Sequence, residues 1–178
     1  MTEVERIEAP ARRTDWDFPA FDERTVLTSM LDYARLTVHA KCEGLSDEDA
    51  RRAPLPTSPR TSIASFVSHL RWVEHSWIEV RMLGRADRGP WTDEDPDLDF
   101  DVAPDVSLAQ LLDEYADQCA RNRAGIAALD LDTQSIGRRR SGRTVNLRWV
   151  LHHLVEETAR HNGHLDILRE LADGTTGD

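Results

Sequence analysis

The chain has 178 residues, 39% hydrophobic and 31% charged, with a formal net charge of -11 at pH 7. That length predicts one domain able to bury a core without disulfide or metal staples, and no apolar run approaches the roughly 20 residues that cross a bilayer. The acidic balance argues against nucleic acid as a general partner, since phosphate binding needs a basic surface. Met1 to Arg13 is polar and lacks the apolar stretch of a signal peptide, so a cytoplasmic protein is expected. Cys42 and Cys119 form no CxxC pair and read as reduced core residues.

Residues 1–20 carry Pro10, Pro19 and mixed charges without a sustained period, and read as an arm that Trp16 and Phe18 would pin to the domain. The domain itself is expected over 21–174, with a short tail at 175–178. From about Asp22 to Glu43, Val26, Leu27, Met30, Leu31, Ala34 and Val38 recur at helical spacing, and Gly44 followed by Leu45 is a glycine-type stop. His39 lies on the opposite face and reads as a solvent histidine. Ser46-Asp47-Glu48-Asp49 opens a short helical turn before Pro54, Pro56 and Pro59 impose a loop.

A second long helix is expected from about Ser62 to Leu83, with Ile63, Phe66, Val67, Leu70, Val73, Trp77 and Ile78 as its apolar face. His69 borders that face. His75 turns away and reads as a surface residue, whereas Glu74 falls inside the apolar arc, where a buried carboxylate needs an ion-pair partner. The Asp-rich stretch between Gly84 and Val106 lacks the central glycine and closing Glu of an EF-hand, so it reads as a solvated connection with Trp91 or Phe100 packed inward. Ser107 to Gln110 is a capping box that opens a third helix, with Leu108, Leu111, Leu112, Tyr115, Cys119 and Ile126 on one side to about Leu129. Ile136 to Val145 reads as a turn or hairpin whose Arg138, Arg139, Arg140 and Arg143 are solvent or carboxylate-pairing arginines. Asn146 caps a fourth helix that ends near Gly174.

Four long helices and no convincing sheet predict an all-α four-helix bundle. The fourth helix carries the chemistry. At about 100° per residue, with Glu157 at 0°, His161 falls at about 40°, His164 at about -20° and His153 at about -40°. Glu157 and His161 border the apolar stripe of Leu147, Val150, Leu154, Leu165 and Leu168. Bundles build metal sites from inward side chains on facing helices. A Glu and a His four apart, plus a His from a second helix such as His69, give three N/O ligands and leave a position open for water or substrate. Imidazole and carboxylate suit Zn, Ni, Fe or Mn. A solitary histidine beside an apolar stripe is more often a hydrogen-bonded core residue, so the weight rests on the coincidence of these groups.

The run Leu147-Arg148-Trp149-Val150-Leu151, continuing into Glu157-Thr158-Ala159-Arg160-His161-Asn162-Gly163-His164-Leu165-Asp166, closely resembles the DinB-like (YfiT-like) superfamily. So do His69-Leu70-x-x-Val73-Glu74-x-x-Trp77 and the Gly44-Leu45-Ser46-Asp47 turn. The resemblance covers about residues 20–172. It is strongest with an actinobacterial branch related to mycothiol-dependent maleylpyruvate isomerase and thiol transferases. Lys41 is the single lysine among 22 basic residues, the bias of a GC-rich genome. The resemblance implies an up-down-down-up bundle, commonly a homodimer, with a divalent metal held at the matching positions His69, Glu157 and His161. Many relatives carry His where Glu157 stands here. His164 is a further candidate, as ligand or acid/base group.

Two functions compete at this stage. One is a metal-dependent transferase or hydrolase in which a zinc-like ion activates water or a mycothiol-type thiol toward a small-molecule substrate, with His164, or His153 above it, shuttling the proton or fixing a ligand. The other is a non-catalytic metal-binding or stress-responsive dimer whose ion stabilises the bundle, its site closed by a fourth protein ligand.

Overall fold

A computed structural model describes residues 20–137 and 142–176. The expected N-terminal arm with Trp16 and Phe18, and Arg138, Arg139 and Arg140 of the arginine cluster, lie outside the described residues. Arg143 is exposed. The fold is all-α: helix α1 spans Glu23–Cys42, α2 Asp47–Arg51, α3 Ile63–Glu74, α4 Leu108–Ile126 and α5 Leu147–Asp173. A π-helix, His75–Met82, continues α3 directly, and a single 3-10 turn covers Leu98–Phe100. Among the described residues no strand forms, only an isolated antiparallel bridge between Gln134 and Asn146. Nor is any helix there long and apolar enough to cross a membrane.

The helix ends follow from local chemistry. Side chains of Asp22, Ser46, Ser62, Ser107 and Asn146 each accept the backbone N–H three residues on, satisfying one of the donors that a helix start leaves free. Gly174 ends α5 with φ +78°, a left-handed conformation that costs glycine nothing.

Two apolar clusters form the core. One gathers Val38 and Cys42 of α1, Ile63, Phe66, Val67 and Leu70 of α3, Leu108, Leu111, Tyr115 and Cys119 of α4, and Leu165 and Leu168 of α5. The other gathers Leu27 and Leu31, Ile78 and Met82, Ile126, and Leu147, Val150, Leu151 and Leu154. Between them each helix turns polar. Arg35 donates from Nε and an Nη to the two oxygens of Glu74, both at 2.7 Å, and Asn122 donates to Glu74 Oε2 at 2.7 Å. Asn162 of α5 donates to the Ala34 carbonyl at 2.9 Å. The ion pair expected for Glu74 is therefore present, with Arg35 and Glu74 only 5% and 1% exposed.

Two histidines depart from the sequence reading. His75 is 1% exposed instead of lying on the surface. The chain leaving the π-helix folds back over it, so that Arg88 N–H donates to its Nε2 at 3.1 Å while its Nδ1 lies 2.8 Å from Glu79. His39 is half-buried beside Tyr115, ring centroids 5.9 Å apart, and burial lowers its pKa. A helical wheel sees only the helix, and in both cases the covering group comes from elsewhere in the chain.

Replacing Glu74 by Ala leaves the Arg35 guanidinium buried with only Asp32 to answer it. The expected loss of stability is about 3–5 kcal/mol, measured by urea unfolding; a loss below about 1 kcal/mol would refute the assignment. Burial pushes the Cys42 and Cys119 thiols up to about 12. At pH 8 the thiolate fraction is then roughly one in ten thousand, so Ellman's reagent should titrate neither cysteine in the folded protein and both after denaturation.

Candidate metal centre

The polar level that splits the core continues to the surface between α3 and α5, and there His69, Glu157 and His161 meet. Each offers one ligand atom, and the three atoms lie within 4.8 Å of one another. Glu157 and His161 come together because they stand four apart on α5, and His69 arrives from the facing side of α3. Glu157 Oε1 is 3.3 Å from His161 Nε2 and 3.6 Å from His69 Nε2. Two ligands each about 2.0–2.1 Å from a tetrahedral ion stand about 3.3 Å apart, so both separations fit a shared divalent cation, as does an N,N,O donor set. Arg160 binds the other oxygen, Oε2, which turns Oε1 toward the two rings.

The electrostatics agree with that fit. Hydrogen bonds from His161 and then His69, with help from Arg160, outweigh burial and hold the Glu157 carboxyl well below the usual carboxylate range. At His69 burial opposes protonation, but hydrogen bonds to Asp99 and Glu157 outweigh it and raise the pKa. The two shifts are complementary: the donors around Glu157 favour its ionised carboxylate, and the carboxylates around His69 favour positive charge there.

The walls are aromatic. Phe66 stacks on His164 with centroids 5.1 Å apart and touches His161 at 4.9 Å, while Phe100 lies nearly parallel to His69 at 4.1 Å. His164 stands behind His161: the two Nδ1 atoms are 3.1 Å apart, on the edge of His161 remote from Glu157. Its Nε2 has no protein partner among the described residues. Burial, then the neighbouring His161 and Arg160, lowers its pKa. His153, on the same arc of the wheel, is drawn elsewhere. Its ring packs against Trp77 at 4.5 Å and Trp149 at 5.1 Å, and it joins Glu156 and Glu157 in a second, more exposed group.

Asp99 is the residue that sequence reasoning missed. The Asp-rich connection was expected to be solvated, yet Asp99 is 6% exposed and its Oδ2 lies 2.7 Å from His69 Nδ1. Its neighbour Phe100 does pack inward, as one of the two aromatics expected to do so, and that packing was the available hint.

Among curated proteins no match is found. Residues 26–174, which include every member of this centre, match the family described as MST: Mycothiol-S-transferase. With α5 carrying the pattern that resembles the DinB/YfiT-like superfamily, and the family match running from within α1 to the end of α5, the chain belongs to the mycothiol-S-transferase family.

Proposed function

We propose that this protein is a metal-dependent transferase that joins a low-molecular-weight thiol of the mycothiol type to an electrophilic small molecule, with His69, Glu157 and His161 holding a divalent ion. The observation that carries the reading is the convergence of two imidazole Nε2 atoms on one carboxylate oxygen. Zinc suits this donor set best, and nickel, iron or manganese fit it too. A bound ion supplies Lewis acidity, which lowers the pKa of a thiol or water so that the nucleophile forms near neutral pH. Glu157 offsets the ion's charge, Arg160 keeps the carboxylate turned inward, and Phe66 and Phe100 exclude water from two sides. His164 is the proton carrier: its depressed pKa favours the neutral ring, and its Nε2 is open to accept.

The alternative, a non-catalytic protein with a closed structural site, needs a fourth ligand. His164 was the candidate, and its ring nitrogen faces His161 instead of the space beside Glu157. That supports an open position.

The order in which α1, α3, α4 and α5 pass through the two core clusters supports an up-down-down-up four-helix bundle over residues 21–174. The family resemblance supports a homodimer.

The test is elemental analysis of purified protein coupled to a thiol-transfer assay with mycothiol and a panel of electrophiles. One divalent ion per chain is expected, lost in His69→Ala, Glu157→Ala and His161→Ala. His164→Ala should keep the ion at saturating zinc and lose about 10²–10⁴-fold in rate. Full occupancy with no turnover on any thiol would favour the non-catalytic protein, and full occupancy in the ligand variants would refute the assigned ligands.

A further inference from the structure

Between Gly84 and Val106 the chain is rich in aspartate, and of these acids only Asp99 is buried. A buried carboxylate at the end of a long loop is costly to hold unless something fixes the loop. Here three contacts do. Ser68 Oγ donates to the Asp99 carbonyl at 2.7 Å, tying the turn to α3 one residue before His69. Phe100 lies on the His69 ring. Arg60, just ahead of α3, grips both flanks of the turn, with paired hydrogen bonds to Asp95 (2.6 and 3.1 Å) and to Asp101 (2.7 and 2.9 Å). The 3-10 turn is braced on each side and anchored in the middle.

We propose that Asp99 is a positioning residue for the metal centre: it holds His69 through Nδ1–H so that Nε2 faces Glu157, and Arg60 is the brace that keeps it there. The proposal rests on the reading of His69, Glu157 and His161 as metal ligands. A metal-bound histidine whose other nitrogen donates to a carboxylate is fixed in tautomer and ring orientation, and is a more basic ligand. Asp99 also brings a second carboxylate to the site beside Glu157.

The two histidines are thereby held differently. His69 is backed by a carboxylate and His161 by another imidazole, that of His164. Charge-assisted hydrogen bonds are roughly twice as strong as neutral ones. Removal of Asp99 should therefore weaken metal binding more than removal of His164 does.

The experiment measures zinc affinity by chelator competition, without substrate. Asp99→Ala is expected to bind zinc about 10–100-fold more weakly than the unaltered protein, and Arg60→Ala to move in the same direction by less. Asp99→Asn keeps an acceptor of the same size and should fall between. In the zinc-loaded protein, NMR should find the His69 Nδ1 proton protected from exchange with water, and unprotected in Asp99→Ala, a change that a residue merely stabilising the loop would not produce. If the unaltered protein binds no zinc, the metal reading fails and this one with it. If it binds zinc through His69 but Asp99→Ala and Asp99→Asn bind it within twofold as tightly, Asp99 has no such role and the metal reading stands. Should Asp99→Ala fail to fold, the Asn variant decides alone: undiminished affinity overturns the proposal.

Discussion

A charge at the middle of an apolar core has to be answered from another helix, and this molecule is arranged around that requirement. Arg35 on α1 and Glu74 at the end of α3 meet with both guanidinium-carboxylate bonds at 2.7 Å, and Asn122 of α4 completes the carboxylate's partners. The pair and Asn122 tie α1, α3 and α4 together at one level, where each buried charge finds its partner. Asn162 adds α5 by binding the Ala34 carbonyl. On the outer side of that level, one residue away along α5, stands His161. The polar layer thus ties both α3 and α5 to α1, close to the level at which His69 and Glu157 meet.

The centre itself is closed on three sides by means that are not equivalent. Glu157 and His161 share a helix, and their spacing is guaranteed by the α-helix. His69 depends on the packing of α3 against α5. Asp99 depends on a loop, and the loop depends on Arg60. Precision falls along that series, and the parts that depend on tertiary packing carry their own anchors: a ring stack and a carboxylate for His69, and two bidentate clamps for the turn that carries Asp99. Sites built on helices need less support than sites built on loops.

What was legible in the sequence follows the same gradient. The caps Asp22, Ser46, Ser62, Ser107 and Asn146 announce their helices through local chemistry, and the E-x3-H spacing on α5 is a property of one helix. The need of Glu74 for a partner could be read from its place in an apolar arc, though not that Arg35 would supply it. The bridge from His69 to Glu157 is a relation between helices and could be named only as a candidate. Asp99 had only its apolar neighbour Phe100 to mark it among so many aspartates, and that hint alone does not say which acid is turned inward. His75 was misread because the residues that cover it follow a π-helix, whose altered hydrogen-bond register no 3.6-residue period describes.

The two cysteines take on a different meaning beside a thiol chemistry. A catalyst that brings thiols and electrophiles together is itself exposed to alkylation and to mixed disulfides with its own cosubstrate, and each turnover risks the catalyst. Cys42 and Cys119 are both 3% exposed, and burial keeps their sulfurs protonated. The protein therefore offers little competing thiolate of its own, both sulfurs being held in the core cluster whose Phe66 lines the candidate centre.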